Sequence, residues 1–141
     1  MKKKQIKLEL VTSSDHRFLY NLLKNRNPKS NISHKFLPSY SQHLDFIKSK
    51  PYSKWYIIYY GSQKCGSVYL SRQNEIGMHL EKKYASSIIQ NDSLQIIMNK
   101  NPRNRYLVNI NPKNKESIKF FKSKNFKLIQ YTYEFVKTEN D

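Results

Sequence analysis

The chain has 141 residues, 38% of them apolar and 13% aromatic, with 26 Lys+Arg against 10 Asp+Glu and a net charge of +16. This is enough for one domain with its own core, expected over residues 1–141 with a basic tail at 1–4 and a second tail at 138–141, and too rich in Tyr and Phe for a disordered chain. The lone Cys65 excludes an internal disulfide and a multi-cysteine zinc site, and no apolar run approaches the ~20 residues that span a bilayer.

In chain order, "IKLELVT" (Ile6 to Thr12) alternates and predicts a first strand. Ser13, Ser14 and Asp15 offer caps to a helix with Phe18, Leu19, Leu22 and Leu23 on its apolar face. "NRNPKSNISHKFLP" is polar and Pro-bounded, hence a loop. A second helix is expected from Ser39 or Ser41, burying Leu44 and Ile47 and ending before Pro51. "KWYIIYY" predicts a central strand, "GSQK" a turn and "CGSVYLS" the returning strand of a hairpin. After "RQN" the stretch Asn74 to Leu80 predicts a strand with Ile76, Met78 and Leu80 on one face and Glu75, Gly77 and His79 on the other.

A helix then runs to about Asn99, halted by Asn101-Pro102. "RYLVNIN" predicts a strand, Asn114 caps a helix through Lys124, and "KLIQYTYEFV" a long final strand. Asn125 stands where a left-handed residue closes a helix, with Phe126 as the apolar contact beyond. The order β-α-α-β-β-β-α-β-α-β implies a single-domain α/β sandwich, a mixed central sheet with helices on both faces.

"NINPKNKESIKFFKSKNFKLIQYTYEF", with its Asn-x-x-Ser (Asn114, Ser117), paired aromatics (Phe120, Phe121) and Lys-Asn-Phe, resembles the C-terminal half of the GCN5-related N-acetyltransferases. Asn125 takes the place of that family's glycine. "WYIIYYGSQKCGSVYLSRQNEIGMHL" is similar to the family's central meander, and the order of elements agrees from about Leu8 to Phe135. The short form also looks similar to members found with sugar-nucleotide and polysaccharide pathways. The resemblance implies an acyl donor, acetyl-CoA, in a cleft between the fourth and fifth strands. Backbone N–H groups of Met78 and Leu80 would meet the pantetheine, and the pyrophosphate would sit near Ser86 to Ile89 at the start of a helix. The resemblance also implies that Asn114, Ser117 and Phe121 help bind the cofactor.

Two departures from the family pattern stand out. The glycine turn [QR]-x-x-G-x-[GA] falls on Ala85, Ser86, Ser87, Ile88, Ile89 and Gln90, and none of the defining positions fits. Ser86 and Ser87 with Lys82 and Lys83 could replace the glycines, the register could slip, or the site could have decayed. Phe121 stands where many members carry a tyrosine that protonates the leaving thiolate; Tyr84, Tyr131 and Tyr133 are alternatives, each also readable as packing.

Glu75 is the expected general base, directly or through water, with His79 on the same strand face as the other candidate. Asn31, Ser33 and His34, in the loop that forms the acceptor wall in that family, would suit a hydroxyl-rich or sugar-like small amine acceptor, such as an amino sugar attached to a nucleotide. His16 and His43 read as helix surface, Cys65 as core, and no metal site is expected. Lys115, Lys119 and Lys122 make a basic stripe that reads as a solvated face or as an anion attractor. The expected function is acyl transfer to an amine. The alternative is a degenerate member binding RNA or protein, which the charge permits but no RNA signature supports. A cytoplasmic setting is expected; the charged stretch after the N-terminal lysines gives no leader core, and the oligomeric state is open.

Overall fold

The computed structural model describes residues 4–26 and 37–138. Four strands form an antiparallel sheet in chain order: β1 (Ile6–Leu10), β2 (Lys54–Tyr60), β3 (Gln63–Leu70) and β4 (Ile76–Leu80). Helices α1 (His16–Lys24) and α2 (Tyr40–Lys48) lie between β1 and β2; α3 (Ser87–Lys100) and α4 (Lys115–Ser123) follow β4. Short 3-10 turns at Ser13–Asp15 and Lys82–Tyr84 lead into α1 and toward α3.

The sheet is buried on both faces, which explains why β2 reads as an unbroken apolar run. Its neighbours Ile57 and Ile58 are both fully buried yet belong to different clusters. Ile58 packs with Ile6, Leu8, Tyr56, Val68, Leu70 and Ile76 and with Ile89, Leu94 and Ile97 of α3. Ile57 packs with Leu19 of α1 and Ile47 of α2. Burial of each such side chain stabilises the fold by roughly 1.5–3 kcal/mol. Cys65 is fully buried in the α3-side cluster, and burial pushes its thiol up to about 11, so it is an inert core residue.

The caps are those the sequence encodes. Ser39 Oγ accepts from Gln42 N (3.1 Å) while Gln42 Oε1 accepts from Ser39 N (2.9 Å), a reciprocal box that starts α2. Asn125 has φ 70°, and Phe126 N donates to Phe121 O (3.0 Å), which ends α4 as expected. At the start of α1, Asp15 accepts from Thr12 N (2.8 Å) and pairs with Lys64 Nζ (2.6 Å), tying the first helix to β3.

Burial alone would raise the Asp15 pKa, but the hydrogen bonds from Lys64 and Thr12 outweigh it and hold the carboxyl below its ordinary 3.8. A depressed folded-state value means this stabilisation is present above pH 3.8 and is lost as pH falls through the folded value. Denaturant midpoints measured from about pH 6 to about pH 2.5 should therefore fall more steeply for the wild type than for Asp15→Asn.

Some expectations change. Leu44 is only half-buried; it is His43 that shares the inner face of α2 with Ile47. His43 lies under Tyr20 and Phe46, its Nδ1 has no partner among the described residues, and burial together with His16 lowers its pKa. It is a core histidine, not a surface one.

The two C-terminal strands are not formed as ladders. Of the stretch 105–111, Leu107 makes one parallel bridge to Glu75. Its flanks are taken by other partners: the Tyr106 hydroxyl donates to Asn101 O (2.5 Å), and Asn111 O accepts from Asn114 N (2.8 Å) in the turn before α4. The stretch 127–138 is exposed throughout, because β-forming side chains make a strand only where an edge receives them. Tyr131 and Tyr133, 75% and 89% exposed, are therefore not core packing.

Candidate functional site

The site grows from the backbone of β4. Glu75 O accepts from Ser71 N (2.8 Å) and Glu81 N donates to Cys65 O (2.9 Å), so the odd-numbered residues of β4 turn their amides toward β3. The even-numbered amides point the other way, into the space beside Leu107. Ile76 N donates to Leu107 O (2.8 Å), and Leu107 N donates to Asn74 O (2.8 Å). Beyond that bridge the chain leaves β4. The amides of Met78 and Leu80 then have no backbone partner among the described residues, and the stretch beside them, where 108–111 makes no ladder with β4, is a notch in the hydrogen-bonded sheet.

Glu75 stands at the mouth of the notch, half-buried. Asn109 Nδ2 donates to its Oε2 (2.5 Å) and Ser71 Oγ to its Oε1 (3.2 Å), so both carboxylate oxygens are held in place. Asn109 reaches it because the Leu107 bridge lays residues 107–109 beside the start of β4.

On the same face of β4, the ring of Tyr69 lies across Gly77, its opposite number in the ladder. A Cβ at Gly77 would come within 2.1 Å of Tyr69 Cζ. The ring stacks on Tyr52 with centroids 3.7 Å apart and planes 5° from parallel, and Trp55 and Phe46 abut Tyr52 edge-on. Glu75, this aromatic slab and His79 thus follow one another along the strand.

Arg26, just past the end of α1, places Nη1 3.0 Å from His79 Nε2. A guanidinium can only donate, so Nε2 accepts and the imidazole is neutral. Burial first, and the charge of Arg26 second, push the His79 pKa down to about 3. Burial likewise lowers that of Arg26, and the phenols of Tyr52 and Tyr69 are pushed up, again chiefly by burial. His79 is thus held through Nε2 by a cation, and Glu75 is the carboxylate on the same strand face.

Downstream, Ser86 caps α3: its Oγ accepts from Ile89 N (3.2 Å), and its carbonyl accepts from Gln90 N (3.1 Å). The first two helical amides, of Ser87 and Ile88, have no partner among the described residues. Ser86, Ser87 and Ile88 are exposed, as are Lys82 and Lys83, so the turn presents amides, hydroxyls and two ammonium groups to solvent. A helix N-terminus of this kind favours an anion. A cavity of about 380 Å³ adjoins it on the β1 side, lined by Ile6, Tyr60, Ile88 and Asp92 among others, and is separate from Glu75.

No known protein-family signature matches the chain, and no curated protein matches it. Solved structures do. A domain from Methanocaldococcus jannaschii DSM 2661 is 24% identical, with a TM-score of 0.72 over 93% of this chain and 94% of that one. The ribosomal L7/L12 alpha-N-protein acetyltransferase RimL, solved with coenzyme A, is 17% identical, with a TM-score of 0.73 over 89% of this chain and 81% of that one. Campylobacter jejuni N-acetyltransferase PseH, solved with acetyl coenzyme A, is 15% identical, with a TM-score of 0.67 over 91% of this chain and 92% of that one. The fold is that of the GCN5-related N-acetyltransferases.

Within this N-acetyltransferase fold the expected residues fall in three places. Glu75, Met78, His79 and Leu80 line one strand, and Lys82, Lys83, Ser86, Ser87, Ile88 and Ile89 form the turn beyond it. Ile89 is buried, whereas Ile88 is 57% exposed. Asn114 and Ser117 are occupied with each other, Asn114 Oδ1 accepting from Ser117 N (3.2 Å) as the cap of α4. Phe121 sits edge-on to Phe120 and Phe126 against the α3-side cluster. Tyr84 packs by Tyr60. Asn31, Ser33 and His34 lie outside the described residues. Lys115, Lys119 and Lys122 are exposed along α4.

Arg26, Tyr52, Tyr69 and Asn109 were not expected at the site. Tyr69 and Asn109 sit at ordinary alternating positions. The one available signal was Gly77, a glycine inside a strand pattern, which marks a place where something approaches the backbone closely.

Proposed function

We propose that the protein is an N-acyltransferase that takes an acetyl or other acyl group from acyl-CoA and delivers it to a small amine. The observation that carries this reading is the notch beside β4, where the amides of Met78 and Leu80 turn outward next to a carboxylate held by two hydrogen bonds. Acyl-CoA would supply the activated thioester, with coenzyme A as the leaving thiol. The outward amides suit the pantetheine, and the amides of Ser87 and Ile88 with Lys82 and Lys83 suit the diphosphate. The glycine-free turn is no obstacle on this reading, because the Ile88 side chain is turned toward solvent.

The roles of the residues follow from their chemistry. Glu75 takes a proton from the incoming ammonium or from a water bound to it, freeing a lone pair on nitrogen. Asn109 and Ser71 keep that carboxylate aimed. The amides of β4 provide fixed dipoles for the oxygen that gains charge as the nitrogen adds. Phe121 has no proton to give, so the departing thiolate is released toward solvent at the open end of the notch. Arg26 and the slab of Tyr52 and Tyr69 form the wall nearest Glu75, a surface suited to an acceptor that combines a ring with a negative charge, such as a nucleotide-linked amino sugar.

Calorimetric titration of acetyl-CoA at moderate salt, with ATP as a polyanion control, tests the donor half. The expected result is saturable one-to-one binding that ATP does not reproduce. No binding would remove the donor site, and equal binding of both would show that a basic surface merely attracts phosphates.

A further inference from the structure

We infer that the outer edge of β1 pairs with the β1 of a second copy of this chain, antiparallel and centred on Leu8, so that two four-stranded sheets become one. β1 is the terminal strand of its sheet, hydrogen-bonded to β2 alone. The parity of that ladder is set at both ends, where Gly61 N donates to Gln5 O (2.9 Å) and Val11 N to Trp55 O (3.0 Å). Lys7 and Glu9, in step with these and opposite Tyr59 and Ile57, therefore turn their amides and carbonyls toward β2. Those of Ile6, Leu8 and Leu10 turn the other way and have no partner among the described residues.

Natural sheets commonly blunt such an edge with charge, lysine above all. Here the edge is self-complementary instead. In "IKLEL" an antiparallel two-fold through Leu8 sets Leu8 against its own copy, Ile6 against Leu10 and Lys7 against Glu9. The even-numbered pairs are those whose backbone groups are unused, so each would exchange two hydrogen bonds. The Lys7–Glu9 pairs then fall at the non-hydrogen-bonded positions, where facing side chains stand closest. Opposite charges at facing positions strengthen a ladder, and like charges weaken it. Centred on Ile6 or on Leu10, the same strand would set Lys7 against Gln5 or Ser13 and lose the match.

The side chains agree with this register. Lys7 and Glu9 are exposed, and neither has an ion-pair partner among the described residues. Ile6 and Leu8 pack on the α3 side of the sheet, while Leu10, on the same face, is 55% exposed. Pairing would lay Ile6 of the second copy beside it. Two copies at +16 each repel one another over most of their surface, but "IKLEL" carries one charge of each sign and is neutral. β4 lies at the far end of the sheet order from β1, so Glu75 and the notch would stay open in both copies. The inference concerns assembly and stands whether or not the chain transfers acyl groups.

Sedimentation of the full chain, with amide hydrogen exchange read residue by residue, tests it. The wild type is expected to be a dimer at about 100 μM, with the amides of Ile6, Leu8 and Leu10 protected as well as those of Lys7 and Glu9. An uncovered edge would protect Lys7 and Glu9 alone. Lys7→Glu, at an exposed side chain, is expected to weaken the dimer at least ~10-fold. It does so although it makes the chain less basic, a change that would ease any general repulsion between copies. Lys7→Glu/Glu9→Lys restores the opposite pairs and the net charge together, and is expected to recover the dimer. A monomeric wild type at that concentration would overturn the inference. So would a dimer whose Ile6, Leu8 and Leu10 amides exchange freely, one that Lys7→Glu leaves as tight, or one that the charge swap does not recover, since each places the interface elsewhere.

Discussion

Glu75→Gln is expected to lower kcat by roughly 10²–10⁴-fold, about 3–5 kcal/mol of transition-state stabilisation, while the protein stays folded and binds acetyl-CoA as before. Glutamine keeps the shape of the side chain and its single amide oxygen can still accept from Asn109 or from Ser71, but it cannot take a proton from an ammonium group. The loss should therefore fall on kcat, with the Kd for acetyl-CoA unmoved, because the donor would meet the amides of Met78 and Leu80 and not this carboxylate. Steady-state turnover beside a calorimetric titration separates the two. Unchanged turnover would remove Glu75 from the mechanism. His79 is the poorer base of the two, since its Nε2 accepts from Arg26 and burial pushes its pKa down to about 3.

Alanine at the two glycines of the hairpin should give opposite failures. At Gly66 a Cβ would meet the His79 carbonyl oxygen at 2.3 Å and the Leu80 Cα at 3.0 Å. Both are backbone atoms of the paired strand, so β3 and β4 must separate for Gly66→Ala to fit. A loss of about 3 kcal/mol, the upper end of overpacking effects, is expected in denaturant unfolding, accompanied by loss of site function. At Gly77 the obstacle is the Tyr69 ring, the far end of a side chain, which can move if its stack on Tyr52 opens. Gly77→Ala should therefore leave more stability, about 1–2 kcal/mol lost, but should disorder the wall beside Glu75 and raise the KM for the amine more than that for acyl-CoA. If Gly77→Ala proved as unstable as Gly66→Ala with unaltered KM values, the aromatic slab would be packing and not an acceptor wall.

Much of this architecture was legible from the residues themselves. β2 matches the stretch "KWYIIYY", because a strand buried on both faces has no polar alternation to blur its limits. The Ser39 box, the Asn114 cap and the left-handed Asn125 were readable because each is a local contact between residues close in sequence. The C-terminal strands were not: "RYLVNIN" and "KLIQYTYEFV" have the right residue types, but a strand exists only with a neighbour, and period-2 sequence does not name one. His43 was misplaced for a related reason. A helix of nine residues with one buried stripe can rotate by a residue, and here the aromatic contacts of Tyr20 and Phe46 draw the imidazole inward ahead of Leu44.

The site divides in the same way. Glu75 was singled out from its place on one strand face, and Met78 and Leu80 from the family resemblance. Arg26, Tyr52 and Asn109 come from the end of a helix, a loop and an irregular stretch, and are brought together only by long-range packing. Residues separated by 53 positions, as Arg26 and His79 are, leave no mark on each other in the sequence.

The central claim is that a thioester is cleaved at this notch by an amine. The most direct measurement is the rate of free thiol release from acetyl-CoA with a panel of primary amines, beginning with amino sugars and their nucleotide-linked forms, for the wild type and Glu75→Gln side by side. The account predicts amine-dependent release by the wild type, an acetylated product of matching mass and a collapse of that rate in the variant. Thiol release that no amine accelerates, or that Glu75→Gln leaves intact, would contradict it.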